Sequence, residues 1–275
     1  MNKLTQAKRV QVISSLVEGN SVRATCRMTG VCKKAVLKLL VDLGSACARY
    51  QDEHLRRLTC QRIQCDEIWS FCYAKEKNVP EEYKGKLGFG DIWTWVAIDA
   101  DTKLIVSYLV GGRSAEYASK FIHDLASRLA NRIQLTTDGH KAYLRAVEGA
   151  FGADVDYAML EKIYSAPPRE GQARYSPAEC CGARKVKIQG NPEEAHISTS
   201  YIERQNLTMR MSLRRMTRLT NAFSKKLENQ AHAVAIHFMH YNFAKVHQTI
   251  RVTPAMEAGV ADHVWSLEEI IGLLN

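Results

Sequence analysis

Three segments rich in Ile, Val, Trp and Tyr follow one another: RIQCDEIWSFCY from residue 62, DIWTWVAIDA from residue 91 and KLIVSYLVGG from residue 103. Short runs of β-branched and aromatic residues suit strands, DADT between the last two suits a tight turn, and the Lys- and Gly-bearing stretch 75–90 reads as a longer loop. The segment SAEYASKFIHDLASRLA, opened by Ser114, then has the apolar spacing of an amphipathic helix. A buried strand IQLTTD, a helix from about His140 to Ala150 and a strand VDYAMLEKIY come next. A three-strand meander followed by helix, strand, helix, strand and a long helix restricts the chain to an α+β fold.

That element order is the one of the RNase-H-like, integrase-type fold, in which the first and fourth strands are neighbours. Residues 165–197, with Pro167-Pro168, Cys180-Cys181 and scattered Gly, read as an irregular insertion before the last helix. The final helical region starts near Ser198, is basic through Arg218 and becomes apolar and aromatic in AHAVAIHFMHYNFAKVH. The expected division is a core over 61–220 carrying the insertion 165–197, followed by a C-terminal helical region over 221–275.

Ahead of the core the periodicity is helical. Val10, Ile13, Leu16 and Val17 share a face of a helix ending at Gly19-Asn20, Ser21 can cap a short second helix, and Gly30 can supply a tight turn. A third segment, VCKKAVLKLLVDLG, turns Val36, Leu39 and Leu40 inward and Lys33, Lys34 and Lys38 outward. Residues 1–50 therefore read as an all-α helix-turn-helix in which Cys32 to Asp42 enters the DNA major groove, although an ordinary three-helix bundle has the same pattern. Residues 45–60 are polar and helix-friendly, and 51–60 is expected to be a linker helix.

The formal net charge is +9. Residues 1–50 carry nine Lys/Arg against Glu18 and Asp42, and residues 201–226 carry seven against Glu203. Positive charge gathered into two blocks suits a polyanion-binding surface, because each neutralised phosphate releases condensed counterions. A solvated basic face fits the charge equally well. No stretch approaches the roughly 18 to 20 apolar residues of a membrane span, and MNKLTQAKRV lacks the apolar segment of a signal peptide, so a cytoplasmic protein is expected. The eight cysteines contain no C-x-x-C pair and read as reduced thiols, while His232, His237, His240 and His247 share no helical face suited to zinc.

Phosphodiester cleavage by two divalent ions needs carboxylates converging from different elements, because the ions sit about 3.5 to 4 Å apart. Asp66 lies inside the first strand, an expensive place for a carboxylate without a partner. Asp138 ends the fourth, in TTDGH, and Glu203, in STSYIERQN, comes near the start of the long helix. Strand alternation sends Asp66 and Glu67 to opposite faces, so that one can bind metal while the other is solvated. Asp138 also fits a helix cap before Gly139-His140, Asp99 and Asp101 fit a turn better than a ligand set, and Glu203 also fits a surface pair with Arg204 or Arg210. Arg210, Arg214 and Arg218 repeat every four residues and would form a stripe along one helix face, either holding DNA phosphates or simply solvated. His140 and Asn206 are candidates for positioning substrate.

CDEIW, TTDGHKAY and SYIERQN, in that order, resemble the DDE motifs of bacterial insertion-sequence transposases, and most resemble the insertion-sequence-one family. The likeness runs from the helix-turn-helix to YNFAKVHQTIRVTPAM, similar to the Tyr-Asn, His, Thr-Pro-Ala ending of many such enzymes. The resemblance implies that Asp66, Asp138 and Glu203 are catalytic ligands of Mg2+ or Mn2+, with two ions expected. It implies too that the enzyme frees 3′-hydroxyl ends at an element's terminal inverted repeats and joins them to target DNA. Double-stranded DNA is the implied partner, and a homodimer or larger assembly is expected because two ends must be processed together. The spacing from Asp138 to Glu203 exceeds that of retroviral-type cores, which the insertion explains. Two other readings stay open: a helix-turn-helix transcriptional regulator, against which the three carboxylates argue, and a metal-dependent nuclease without strand joining.

Overall fold

A computed structural model describes residues 4–165, 180–217 and 220–274. Helix α1 (Gln6–Val17) is capped by Thr5 and α2 (Val22–Thr29) by Ser21, whose side chains accept from Lys8 N and Ala24 N. Gly30 ends α2 at φ +70°, a left-handed conformation that costs glycine little. The third helix, α3 (Lys33–His54), differs from expectation, since it continues without a break where a separate linker helix was anticipated. Residues 51–60 thus comprise the last turn of α3 and a non-helical exit from Leu55. Gly44 sits in its interior because a helix crosses there: a Cβ on Gly44 would lie 2.4 Å from His232 Cβ.

The sheet is built from β1 (Arg62–Cys72), β2 (Gly90–Asp99) and β3 (Ile105–Gly111), then, beyond helix α4 (Ala115–Arg128), β4 (Ile133–Asp138). Helix α5 (Ala142–Phe151) precedes β5 (Val155–Tyr164), and β6 (Cys180–Gln189) completes the order β3-β2-β1-β4-β5-β6. β1 and β4 are parallel neighbours, as are β4 and β5, whereas the β1–β2, β2–β3 and β5–β6 pairs are antiparallel. The sixth strand lies within 165–197 and corrects the expectation of an irregular insertion. No residue of β6 is buried, so CCGARKVKIQ has no apolar alternation from which to recognise it. Pro167-Pro168 lie outside the described residues.

Trp95 of β2, fully buried, meets Phe121 of α4 and Tyr143 of α5 and packs these two helices on one face. Across the sheet lies α6 (Ser200–Ser212), whose Tyr201 and Ile202 backbone N–H groups donate to Gln64 Oε1 on β1, at 2.9 and 3.1 Å. The helix then stops at Leu213 and Arg214–Met216 form a 3-10 turn. This corrects the continuous arginine stripe: Arg210 is on α6, Arg214 is beyond its end, and Arg218 lies outside the described residues.

Helix α7 (Leu227–Met239) packs against α3 and leads into a π-helical turn, His240–Ala244. That turn carries the buried Asn242, whose amide accepts from Ile105 N at 2.9 Å and donates to Ile105 O at 3.0 Å. The Tyr-Asn of the C-terminal motif therefore closes the free edge of β3. Thr253 caps α8 (Pro254–Glu257) by accepting from Met256 N, and α9 (Leu267–Gly272) packs on α1. One apolar cluster runs from Val12 on α1 through the sheet to Ile271 on α9. No helix among the described residues is long and apolar enough to cross a membrane, and all eight cysteines are free thiols.

Candidate metal centre

The site begins with register. Cys65 of β1 pairs with Thr137 of β4 in the parallel ladder, so the next residues on each strand are Asp66 and Asp138. β4 ends there, and beyond it the longer side chain of Glu67 can reach the same space. Asp66, Glu67 and Asp138 each place an oxygen within 4.8 Å of the others, the only such group of three or more His, Cys, Asp or Glu side chains among the described residues. Asp66 is partly exposed and Glu67 is buried, so the carboxylate that alternation would have left solvated is enclosed.

The two have different surroundings. Glu67 is buried; its Oε1 accepts from Arg113 Nε at 2.9 Å and Nη2 at 2.7 Å, and its Oε2 accepts from Tyr143 Oη at 3.2 Å. Arg113 itself lies over the Trp93 ring. Among the described residues Asp66 receives two neutral donors, the Glu67 backbone N–H at 2.8 Å and Asn206 Nδ2 at 2.8 Å. Asp138 accepts from His140 N at 3.0 Å but does not cap α5, whose N-cap is Lys141. With this set, burial and then the Asp138 and Glu67 charges push Asp66 up to about 7. Burial and Asp138 push Glu67 up to about 7 as well, against the pull of Arg113.

Glu203 is delivered to the same cleft by α6. Gln64 and Asp66 are two residues apart on β1 and hence on one face; the Gln64 contact to the first turn of α6 sets that helix over Asp66. Asp66, Glu67, Trp69, Glu203, Asn206 and Arg210 line an open cleft of about 490 Å³. Glu203 Oε1 lies 2.8 Å from Lys162 Nζ on β5 and accepts from Thr199 Oγ1. Desolvation lowers the Lys162 ammonium, but the Glu203 hydrogen bond and charge outweigh it and raise its pKa. Asn206, one turn beyond Glu203, holds Asp66 in place. Arg210 donates to Met216 O at 3.1 Å and Trp69 O at 3.4 Å.

The remaining candidates fall elsewhere. His140 lies tilted against Trp95 and edge-on to Tyr143, and burial, then Arg113, lower its pKa. Asp99 accepts from Thr102 Oγ1 within the β2–β3 turn, and Asp101 pairs with Arg62. Lys33, Lys34 and Lys38 are exposed on α3, with Lys38 paired to Asp42 at 2.6 Å. Arg113, Tyr143 and Lys162 are not legible in the sequence because their roles depend on contacts between distant elements, and Glu67, the alternative to Asp66 in the sequence, is bonded to two of them. The one available signal was the second carboxylate adjacent to Asp66.

The donor set suits a hard divalent cation: Asp66 has a carboxylate oxygen of Asp138 within 4.8 Å on one side and shares a cleft with Glu203 on the other, and no cationic hydrogen-bond donor to Asp66 is found among the described residues. Mutual repulsion that raises Asp66 is what a cation would relieve.

No protein-family model matches the sequence, and no curated protein matches it. Among solved structures, the chain is similar to a pre-cleavage Mos1 transpososome at 12% identity and TM-score 0.24, covering 57% of this chain and 60% of that one. It is similar to the Mos1 mariner paired-end complex with Mn at 13% identity and TM-score 0.23, covering 57% and 59%. A piggyBac transposase synaptic complex with hairpin DNA aligns over 95% of this chain and 57% of its own, at 11% identity and TM-score 0.28. The chain thus spans about 60% of the Mos1 chains it matches.

Proposed function

We propose that this chain is a DNA transposase whose RNase-H-like core cleaves and joins DNA strands at the ends of a mobile element. The observation that carries the reading is the meeting of Asp66 and Asp138 across the parallel β1–β4 ladder, with Asp66 also lining a cleft that Glu203 lines. Asp66, Asp138 and Glu203 would hold Mg2+ or Mn2+, which supplies Lewis acidity and a lowered pKa for the attacking water or 3′-hydroxyl. Around them the chain's own groups orient the ligands. Asn206 fixes the Asp66 carboxylate, Gln64 fixes α6, and Lys162 balances Glu203 before DNA arrives. Glu67 is assigned a different part: with both oxygens already bonded, it anchors Arg113 and Tyr143 behind the site.

The helices α1–α3 are proposed as the helix-turn-helix, with Lys33 and Lys34 exposed toward DNA. A homodimer on paired ends is part of the same reading. Its test is to incubate the protein with Mg2+ and the DNA flanking its own reading frame. Nicks at defined positions together with strand-joined products are expected. Nicks without joining would leave a nuclease, and intact DNA bound specifically would leave a regulator.

A further inference from the structure

The two basic blocks of the sequence, far apart along the chain, meet in space. Between the α2–α3 turn and the segment that follows α6 lies a cleft of about 800 Å³, larger than the one at the carboxylates. Arg23, Arg27 and Lys33 line it from one block and Arg214, Lys225 and Lys226 from the other, and no carboxylate is among its described lining residues. Like charges held this close destabilise the free protein unless an anion sits among them.

Two side chains deeper in the cleft point to such a ligand. Arg215 donates from Nη1 to Ser224 Oγ at 2.9 Å and to the Asn229 carbonyl at 2.6 Å, both neutral, and no carboxylate among the described residues is within ion-pair distance. Desolvation lowers its pKa to about 10, as expected for a half-buried guanidinium without a carboxylate beside it. His237 is 3% exposed, lines the same cleft, and neither ring nitrogen has a hydrogen-bond partner. A buried imidazole without a partner is unfavourable until something bonds to it.

We propose that this cleft is a second DNA site, which takes the phosphodiester backbone of the strand leading away from the carboxylates, with the half-buried Arg215 as its anchor. It rests on the transposase reading only in naming DNA as the source of the phosphates. Helix α6 links the two sites: Glu203 to Ser212 spans on the order of 14 Å at about 1.5 Å per residue. That corresponds to roughly four base pairs of duplex at about 3.4 Å each. One DNA flank can therefore touch both clefts.

The test is fluorescence anisotropy of the full chain with a labelled duplex and its single strand, without divalent ions, over a salt series. The exposed pair Lys225→Ala with Lys226→Ala should lose about tenfold in affinity and reduce the salt slope by about two. Arg215→Gln should lose at least as much while keeping a cooperative thermal transition. Wild-type affinity and slope in the folded lysine double variant would overturn the proposal. So would inorganic phosphate that displaces the labelled DNA and raises the melting temperature of wild type but not of Arg215→Gln, since the cleft would then be a site for the free ion. Asp66→Asn serves as the separator, because it should keep full DNA affinity and lose cleavage. Intact cleavage in Asp66→Asn with lost binding in the cleft variants would sink the metal reading and leave this one standing; the reverse pattern would do the opposite.

Discussion

Asp66 and Glu67 are adjacent carboxylates with opposite assignments, and the hydrogen bonds around each decide which is which. Asp66→Asn keeps the shape that receives Asn206 but removes the charge that holds a cation, so metal-dependent cleavage should fall to background. Glu67→Gln keeps an oxygen that accepts from Arg113 and presents its amide N–H to Tyr143 Oη, which can accept, and should cost about 10- to 100-fold at most, as partners behind a metal ligand do. Equal losses in the two variants would make Glu67 a ligand. The raised carboxyls also give a sign for pH. A carboxyl whose folded pKa lies above its unfolded value stabilises the fold fully at low pH, and that contribution is lost as pH rises through about 7. A cation binds the ionised form and restores what is lost. Mg2+ should therefore raise the melting temperature more at about pH 8 than at about pH 5.5. An equal shift at both would indicate binding away from Asp66.

At the scale of elements, β1 to β3 were legible because they are rich in branched and aromatic residues that are buried or half-buried in the sheet. β6 was not, because a hairpin strand exposed on both faces has no core to advertise. The passage of α3 through Gly44 was equally hidden, since a glycine that ends a helix and one that admits a crossing helix look alike in sequence. Gly44→Ala should force α3 from α7 and destabilise the fold by about 1 to 3 kcal/mol in urea unfolding. Glu203 was placed on the correct helix, but the same helix was expected to run on through Arg218 when it ends at Ser212. The C-terminal Tyr-Asn was read only as a family signature, and its amide proves to pair with a strand edge. Asn242→Ala would leave the Ile105 N–H and C=O buried without partners, a loss of roughly 2 kcal/mol or more in the same assay. An unchanged urea midpoint would mean that the edge does not need the amide.

Over the whole molecule, the expected cut at residue 50 has no counterpart in packing, because α3 continues past it and shares one core with α7 and the sheet. Deleting residues 1–50 should expose α7 and lower solubility and thermal stability together, so DNA recognition is better probed with Lys33→Ala and Lys34→Ala, which are exposed. Asp66, clustered with Asp138 and sharing a cleft with Glu203, is proposed to hold a divalent cation with them, and calorimetric titration with Mn2+ at neutral pH tests this most directly. The account predicts saturable binding to the wild-type chain, with proton release as Asp66 ionises. Binding should be lost in Asp66→Asn and Asp138→Asn, weakened in Glu203→Gln and retained in Glu67→Gln. Wild-type Mn2+ affinity in folded Asp66→Asn and Asp138→Asn would contradict it.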